Sequence, residues 1–238
     1  YGIMQFLFAP VWGSLSDYYG RKPILLLGVI GNALAMILMG LSSELWMLFA
    51  ARALAGLLSS ATLPTAMAYI GDSTSEENRG GGMGMIGAAM GIGMVLGPGL
   101  GGWLAGSSLS IPFILAGALS VLAFVLILLI LPESLLQKSA TRKITGPQLS
   151  VLWQALAGPL GILFILSFLL SFGLTNFEGV FGLYAAHKYG YGPQQVGTIL
   201  TMVGIISAVS QGFLVGPLTR RFGEVIIIRL AFINTAIG

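Results

Sequence analysis

Two ionisable residues lie inside long apolar runs: Glu178 within 158–186 and Arg52 within 45–71. A charge in hydrocarbon is costly, so such a side chain faces a cavity or a partner, or snorkels toward an interface. Low dielectric favours the neutral form of a carboxylate, and Glu178 therefore has the traits of a proton carrier. Thr175, Phe181 and Gly182 stand at i−3, i+3 and i+4, so a hydroxyl and an aromatic ring share its helix face. The plainer reading is a carboxylate that snorkels outward. Arg52, about two turns into its helix from Leu45, carries the same pair of readings.

A third group of charges sits in Gly13-Ser-Leu-Ser-Asp17-Tyr-Tyr-Gly20-Arg21-Lys22, a turn between two apolar segments. Charges at such a turn belong at a membrane face. A weakened copy, Gly216-Pro-Leu218-Thr-Arg220-Arg221-Phe-Gly223, follows 203 positions downstream with Gly, Leu and Gly in register. Asp17 has no acidic counterpart there, because Arg220 takes its place. A fourth feature is Gly93-Met-Val-Leu-Gly97-Pro98-Gly-Leu-Gly101-Gly102. Gly93, Gly97 and Gly101 recur every four residues and so line one helix face that lets another helix approach closely. Pro98 removes a backbone donor and can kink the helix.

These residues need a membrane scaffold to position them. The 238-residue chain is 56% hydrophobic and 8% charged, with a mean hydropathy of +0.93, whereas soluble domains carry roughly 25% charged residues. Apolar runs of transmembrane length read as about 1–15, 24–42, 45–71, 79–106, 111–131, 158–186, 194–215 and 224–238, six full spans and two partial ones. No period-two alternation suggests barrel strands, so the expected class is an all-α membrane bundle. Loops 16–23, 72–79, 132–157 and 217–223 hold eight basic residues, among them Lys138, Arg142 and Lys143, against Lys188 alone on the other side. That asymmetry puts the first set in the cytoplasm of a multi-pass inner or plasma membrane protein. The division expected is an N-terminal half, 1–131, a cytoplasmic linker, 132–157, and part of a C-terminal half, 158–238. Both related turns face the cytoplasm, so the halves are parallel copies, the symmetry of a transporter that rocks about a central site. The chain opens and ends inside apolar runs and reads as a piece of a longer protein.

At these motifs the chain resembles the major facilitator superfamily. The opening turn fits that superfamily's G-x-L-x-D-[RK]-x-G-[RK]-[RK] loop signature except at Tyr18, where a basic residue is usual. Arg52-Ala-Leu-Ala-Gly56 resembles the R-x-x-x-G motif of its fourth span, and 93–102 the antiporter motif of its fifth. Leu170-Ser-Phe-Gly-Leu-Thr-Asn-Phe-Glu178 is similar to span seven of Gram-positive multidrug exporters of the quinolone-efflux type. The resemblance covers the chain from the family's second span to the start of its ninth and implies the twelve-span drug:proton antiporter branch. It implies proton-coupled efflux of lipophilic or cationic small molecules by alternating access. Glu178 and Arg52, with Thr175 and Phe181, would then serve substrate and proton coupling. Asp17, Arg21 and Asp72 would form a latch at the cytoplasmic helix ends. Gly93, Gly97, Pro98 and Gly101 would make a hinge or seal between the halves, the plainer reading being ordinary small-residue packing.

The remaining features are bland. His187 and Lys188 beside Tyr184, Tyr189 and Tyr191 read as an interfacial anchor, and Glu44 as a helix N-terminal charge. Gly80-Gly-Gly-Met-Gly84 lacks the Lys-Ser/Thr of a phosphate loop. Cysteine is absent, and the sequence shows no Ser-His-Asp set or metal-ligand spacing. The expectation is therefore a non-enzyme that uses no metal or cofactor beyond the proton gradient. Its expected partners are the lipid bilayer, protons and a small-molecule substrate, with no nucleic acid, and it is expected to be monomeric. The alternatives are an antiporter for one dedicated solute, such as a sugar or a single antibiotic class, and a non-transporting scaffold or sensor on the same fold.

Overall fold

Apolar runs with no water to satisfy their backbone groups must coil into helices, and the computed structural model, which describes residues 1–135, 149–158 and 161–237, bears this out. The N-terminal half holds α1 (Gly2–Tyr19), α2 (Arg21–Gly40), α3 (Leu45–Leu58), a 3₁₀ turn (Ser59–Ala61), α4 (Thr62–Ser73), α5 (Glu76–Ala105) and α6 (Ile111–Ile130). The C-terminal part holds α7 (Leu149–Ala157), α8 (Gly161–Tyr189), α9 (Pro193–Val209), a π-helical turn (Ser210–Val215), α10 (Gly216–Phe222) and α11 (Glu224–Ile237). Among the described residues five stretches are long and apolar enough to cross a membrane: α2, Leu45–Ser73, α5, α6 and α8. The span expected at 194–215 instead runs through α9 into the π-helical turn.

The cytoplasmic connections are shorter than their charges suggest. The turn expected at 16–23 shrinks to Gly20, because α1 continues to Tyr19 and α2 starts at Arg21. Gly20 adopts φ +115, a region that disfavours any side chain, and its N–H bonds the Ser16 carbonyl at 3.1 Å. The downstream copy repeats the device: Gly223 has φ +81, and its N–H bonds the Thr219 carbonyl at 2.9 Å. The echo at 216–223 is thus a backbone repeat, although most of it is the short helix α10 rather than an open turn. The expected linker 132–157 is helical at its end, over α7; its basic residues Lys138, Arg142 and Lys143 lie outside the described residues.

The core gathers around α2, which buries Ile24, Leu25, Val29, Ala33, Ala35 and Met39. Small residues bring its neighbours close. A Cβ on Gly31 would strike the Leu58 side chain of α3, and one on Gly117 of α6 would stand 2.7 Å from Ile37. In the middle of the bundle Asn32 donates to Ser120 Oγ (2.9 Å) and accepts from Ser59 Oγ (3.2 Å), tying α2 to α6 and to the 3₁₀ turn. That turn has a local cause: Pro64 offers no N–H to the Ser60 carbonyl, so the helix tightens, and Ser60 Oγ donates to Leu57 O at 2.9 Å. Among the described residues α5 and α9 are the one pair of helices through which the two halves touch.

Candidate functional site

Three places carry the chemistry singled out in the sequence. The first is the cytoplasmic end of the N-terminal half. Asp17 lies in the last turn of α1, Asp72 in the last turn of α4, and Arg21 is the first residue of α2. The structure brings all three together around the buried Arg21 guanidinium. Nη2 meets Asp17 Oδ1 at 2.6 Å, Nε meets Asp72 Oδ2 at 2.8 Å, and Nη1 donates to Ser16 Oγ at 2.6 Å. A planar fork with its donors fixed in direction suits this three-way grip, which a single ammonium could not reproduce. Ser16, fully buried, donates its own hydroxyl hydrogen bond to Gly13 O at 2.7 Å.

Sequence reasoning missed a fourth acid at this end. Glu133, just beyond α6, accepts from the backbone N–H groups of Arg21 (2.8 Å) and Lys22 (3.1 Å), and from Leu135 N–H (3.1 Å). Partial burial pushes its carboxyl up, but backbone bonds from Leu135, Arg21, Lys22 and Ser134 outweigh this and hold it below the usual glutamate range. Its place in Pro132-Glu133-Ser134 marks only the end of a span; no local signal links it to residues 111 and 112 positions away.

The second place is the contact between the halves. A Cβ on Gly102 of α5 would collide with the Pro193 carbonyl and lie 2.9 Å from Gly197 Cα of α9. One on Gly197 would strike the Pro98 carbonyl and lie 2.9 Å from Gly102 Cα, so the contact is reciprocal. Gly99 faces Thr201, Gly106 faces the Gln194 side chain, and Gly204 faces Val95. The packing expected at Gly93, Gly97 and Gly101 is not seen among the described residues, where a Cβ at any of them would meet nothing within 4 Å. The contacting stripe is Val95, Gly99, Gly102 and Gly106, with Pro98 contributing its carbonyl, and α5 runs on through Pro98 as one helix. These contacts lie in the outer half of α5 and run along α9 from Pro193 to Gly204. Toward the cytoplasm, the glycines at 80, 81, 84, 87 and 91 have open space, and among the described residues the π-helical turn and α10 contact α9, α11 and each other. Among the described residues the contact between the halves thus lies in the outer half of α5.

The third place comprises the two intramembrane charges. Glu178 lies eleven residues before the outer end of α8, about 16 Å along the helix, and Arg52 seven residues after the outer start of α3, about 10 Å. Both are inside the outer half of the membrane, and both are exposed on their helices. Among the described residues neither makes a hydrogen bond or ion pair, and the structure does not bring them together. Thr175 is exposed on the same helix, while Phe181 is half-buried with its ring centroid 5.1 Å from that of Phe177. At the outer end Lys188 Nζ donates to Tyr184 OH at 2.6 Å and lies 5.5 Å from the Tyr189 ring, the geometry of an interfacial anchor. A cavity of about 390 Å³ opens beside Asn32, Ser59, Thr62 and Ser120, and another of about 470 Å³ beside Trp103, Tyr191 and Gln194. Glu178 and Arg52 line neither.

With this geometry in hand, comparison with known proteins is specific. The family model described as Major Facilitator Superfamily matches residues 1–238. The chain is 33% identical to Multidrug resistance protein 2 of Bacillus subtilis (strain 168), over 100% of this chain and 60% of that protein. It is 37% identical to the class G Tetracycline resistance protein of Vibrio anguillarum, over 94% of this chain and 57% of that one. The structure of the human organic anion transporter MFSD10 (TETRAN) superposes with a TM-score of 0.64 at 24% identity, covering 89% of this chain and 54% of that one, a likeness of fold. The chain thus spans about three-fifths of the length of the relatives it matches.

Proposed function

The chain belongs to the major facilitator superfamily, and from that premise we propose that the whole protein exports lipophilic or cationic drugs by proton-coupled alternating access. The observation that carries the reading is the arrangement of the halves. They meet through the glycine stripe in the outer half of α5, which lies along α9 from Pro193 to Gly204, while among the described residues the glycines in the cytoplasmic half of α5 meet nothing from the other half. A seal on one side with separation on the other is one limit of a rocking cycle. The Asp17–Arg21–Asp72 cluster lies on the opposite face from that seal, where a latch for the other limit belongs. Multidrug and tetracycline resistance proteins among the relatives support a drug as cargo.

Glu178 is the proton carrier in this scheme. Ionised, it attracts a cationic substrate; protonated, it releases it, so export and proton entry compete for one carboxylate. Arg52, at a related depth, tunes that exchange. The proton gradient supplies the energy, and the protein acts as a monomer, without a cofactor and without enzymatic chemistry. The test is efflux by the full-length protein in proteoliposomes with an imposed pH gradient, across a panel of dyes and antibiotics. The wild type should extrude several lipophilic cations, and Glu178→Gln should remove the gradient dependence. Uptake driven by the same gradient, or undiminished proton-driven export by Glu178→Gln, would overturn the reading.

A further inference from the structure

The first turn of α2 presents a problem that its own sequence does not solve. A helix N-terminus carries partial positive charge and leaves its first four N–H groups without intrahelical acceptors. Here the helix begins Arg21-Lys22-Pro23, two cations where anions belong, and the N-cap is Gly20, which has no side chain to offer. Gly20 N–H reaches back to Ser16 O, and Pro23 has no N–H. The two donors that remain, on Arg21 and Lys22, are both taken by Glu133, one by each carboxylate oxygen.

Gly20 is shaped for that carboxylate. Its φ of +115 already disfavours a side chain, and a Cβ there would stand 2.6 Å from Glu133 Oε2 and 3.1 Å from Cδ. The carboxylate sits where the side chain of any other residue would project. Two further bonds tie the same helix ends: Lys22 Nζ donates to Leu128 O of α6 at 2.9 Å, and Tyr69 OH of α4 donates to Pro132 O at 3.0 Å. The end of α6 and the residues that follow it therefore bond to both α2 and α4, the two helices whose Arg21 and Asp72 form an ion pair.

We propose that Glu133 is a positioning residue of the cytoplasmic charge cluster. By capping the first turn of α2 from the end of α6, it sets where that helix starts. The start of the helix sets where the Arg21 guanidinium falls between Asp17 and Asp72. Glu133 acts through Arg21, whose backbone N–H it holds. As a result α6, which supplies no side chain to the grip itself, moves with the cluster when it forms and breaks. The transport consequence rests on the exporter reading above; the positional one does not.

The test is a double-mutant cycle in the full-length transporter, pairing Glu133→Gln with Asp72→Asn, with Glu77→Gln as a control at a different helix start. Loss of the charge-assisted cap should lower the maximal rate of gradient-driven efflux about tenfold while KM stays within about twofold, because no substrate contact changes. In the Asp72→Asn background Glu133→Gln should add almost nothing, since residues acting through one shared partner are not additive. Glu77→Gln should match wild type. The same cycle read on thermal midpoints of purified protein needs no transport. If the wild type fails to export but the midpoints are coupled, the exporter reading falls and the positioning role stands. Additive effects in the cycle, or a change in KM with the maximal rate kept, would overturn the proposal.

Discussion

A cross-link at the outer seal would measure whether α5 and α9 part during the cycle. A Cβ on Gly99 would lie 3.4 Å from Thr201 Cβ, beside the Cβ separation of about 3.5–4.5 Å that a disulfide needs. These 238 residues hold no cysteine, so Gly99→Cys/Thr201→Cys is the one thiol pair they contribute once any cysteine elsewhere in the protein is replaced. Only about 0.1–0.5 Å of adjustment is required, which two packed helices absorb without changing register. Mild oxidation should join the pair while the outer side is closed. Each joined molecule leaves the cycle, so residual efflux should equal the fraction that remains unjoined, and reduction should restore it. Gly97→Cys/Thr201→Cys is the control: a Cβ at 97 meets nothing within 4 Å, so it should not close a bond. Full efflux from a fully joined sample would show that this contact does not open during transport. Preferential joining of the 97 pair would show that the contacting stripe has been placed on the wrong face of α5.

Arg21→Lys should fail to replace arginine, because one ammonium cannot reach Asp17, Asp72 and Ser16 together. The loss should be about 1.5–3 kcal/mol, read as a lower thermal midpoint of purified protein and as impaired efflux; an unchanged midpoint would show that the fork contributes nothing. Acid should remove what Glu133 contributes. Its folded carboxyl titrates below its usual range, so its stabilisation is complete above the unfolded value and is lost as pH falls through the folded one. The gap in thermal midpoint between wild type and Glu133→Gln should hold steady from about pH 7 to pH 5 and close below about pH 4. A gap that instead closes between pH 7 and 6 would contradict the direction of that shift.

Much of the architecture was legible because its causes are local. Apolar runs announced the spans, and basic residues their sides. Asp17, Arg21 and Asp72 each end or begin a helix at one membrane face, so spacing alone placed them at the same level. The repeat between 13–20 and 216–223 extended to the backbone because a glycine in matching position allows the same positive φ at Gly20 and Gly223. The loops were read as longer than they are, since charge marks the water boundary and not the end of the helix. Asp17 is both charged and helical.

What stayed hidden depended on partners distant in the chain. Helix α5 carries glycine on several sides, so its own pattern could not choose a contacting face. The regular spacing of 93, 97 and 101 pointed to one, while the small surface of Gly197, Thr201 and Gly204 on α9 selected its neighbour. Glu133 was invisible as a cap because a carboxylate gives no local sign of which backbone donors it will meet, and those lie on another helix. Glu178 and Arg52 were recognisable as costly charges from sequence, yet their places on exposed faces of α8 and α3 followed from how the helices pack. Periodicity and charge specify which segments enter the membrane and in which direction. The choice of faces and caps belongs to packing, where the shape and donors of one helix are matched to those of another.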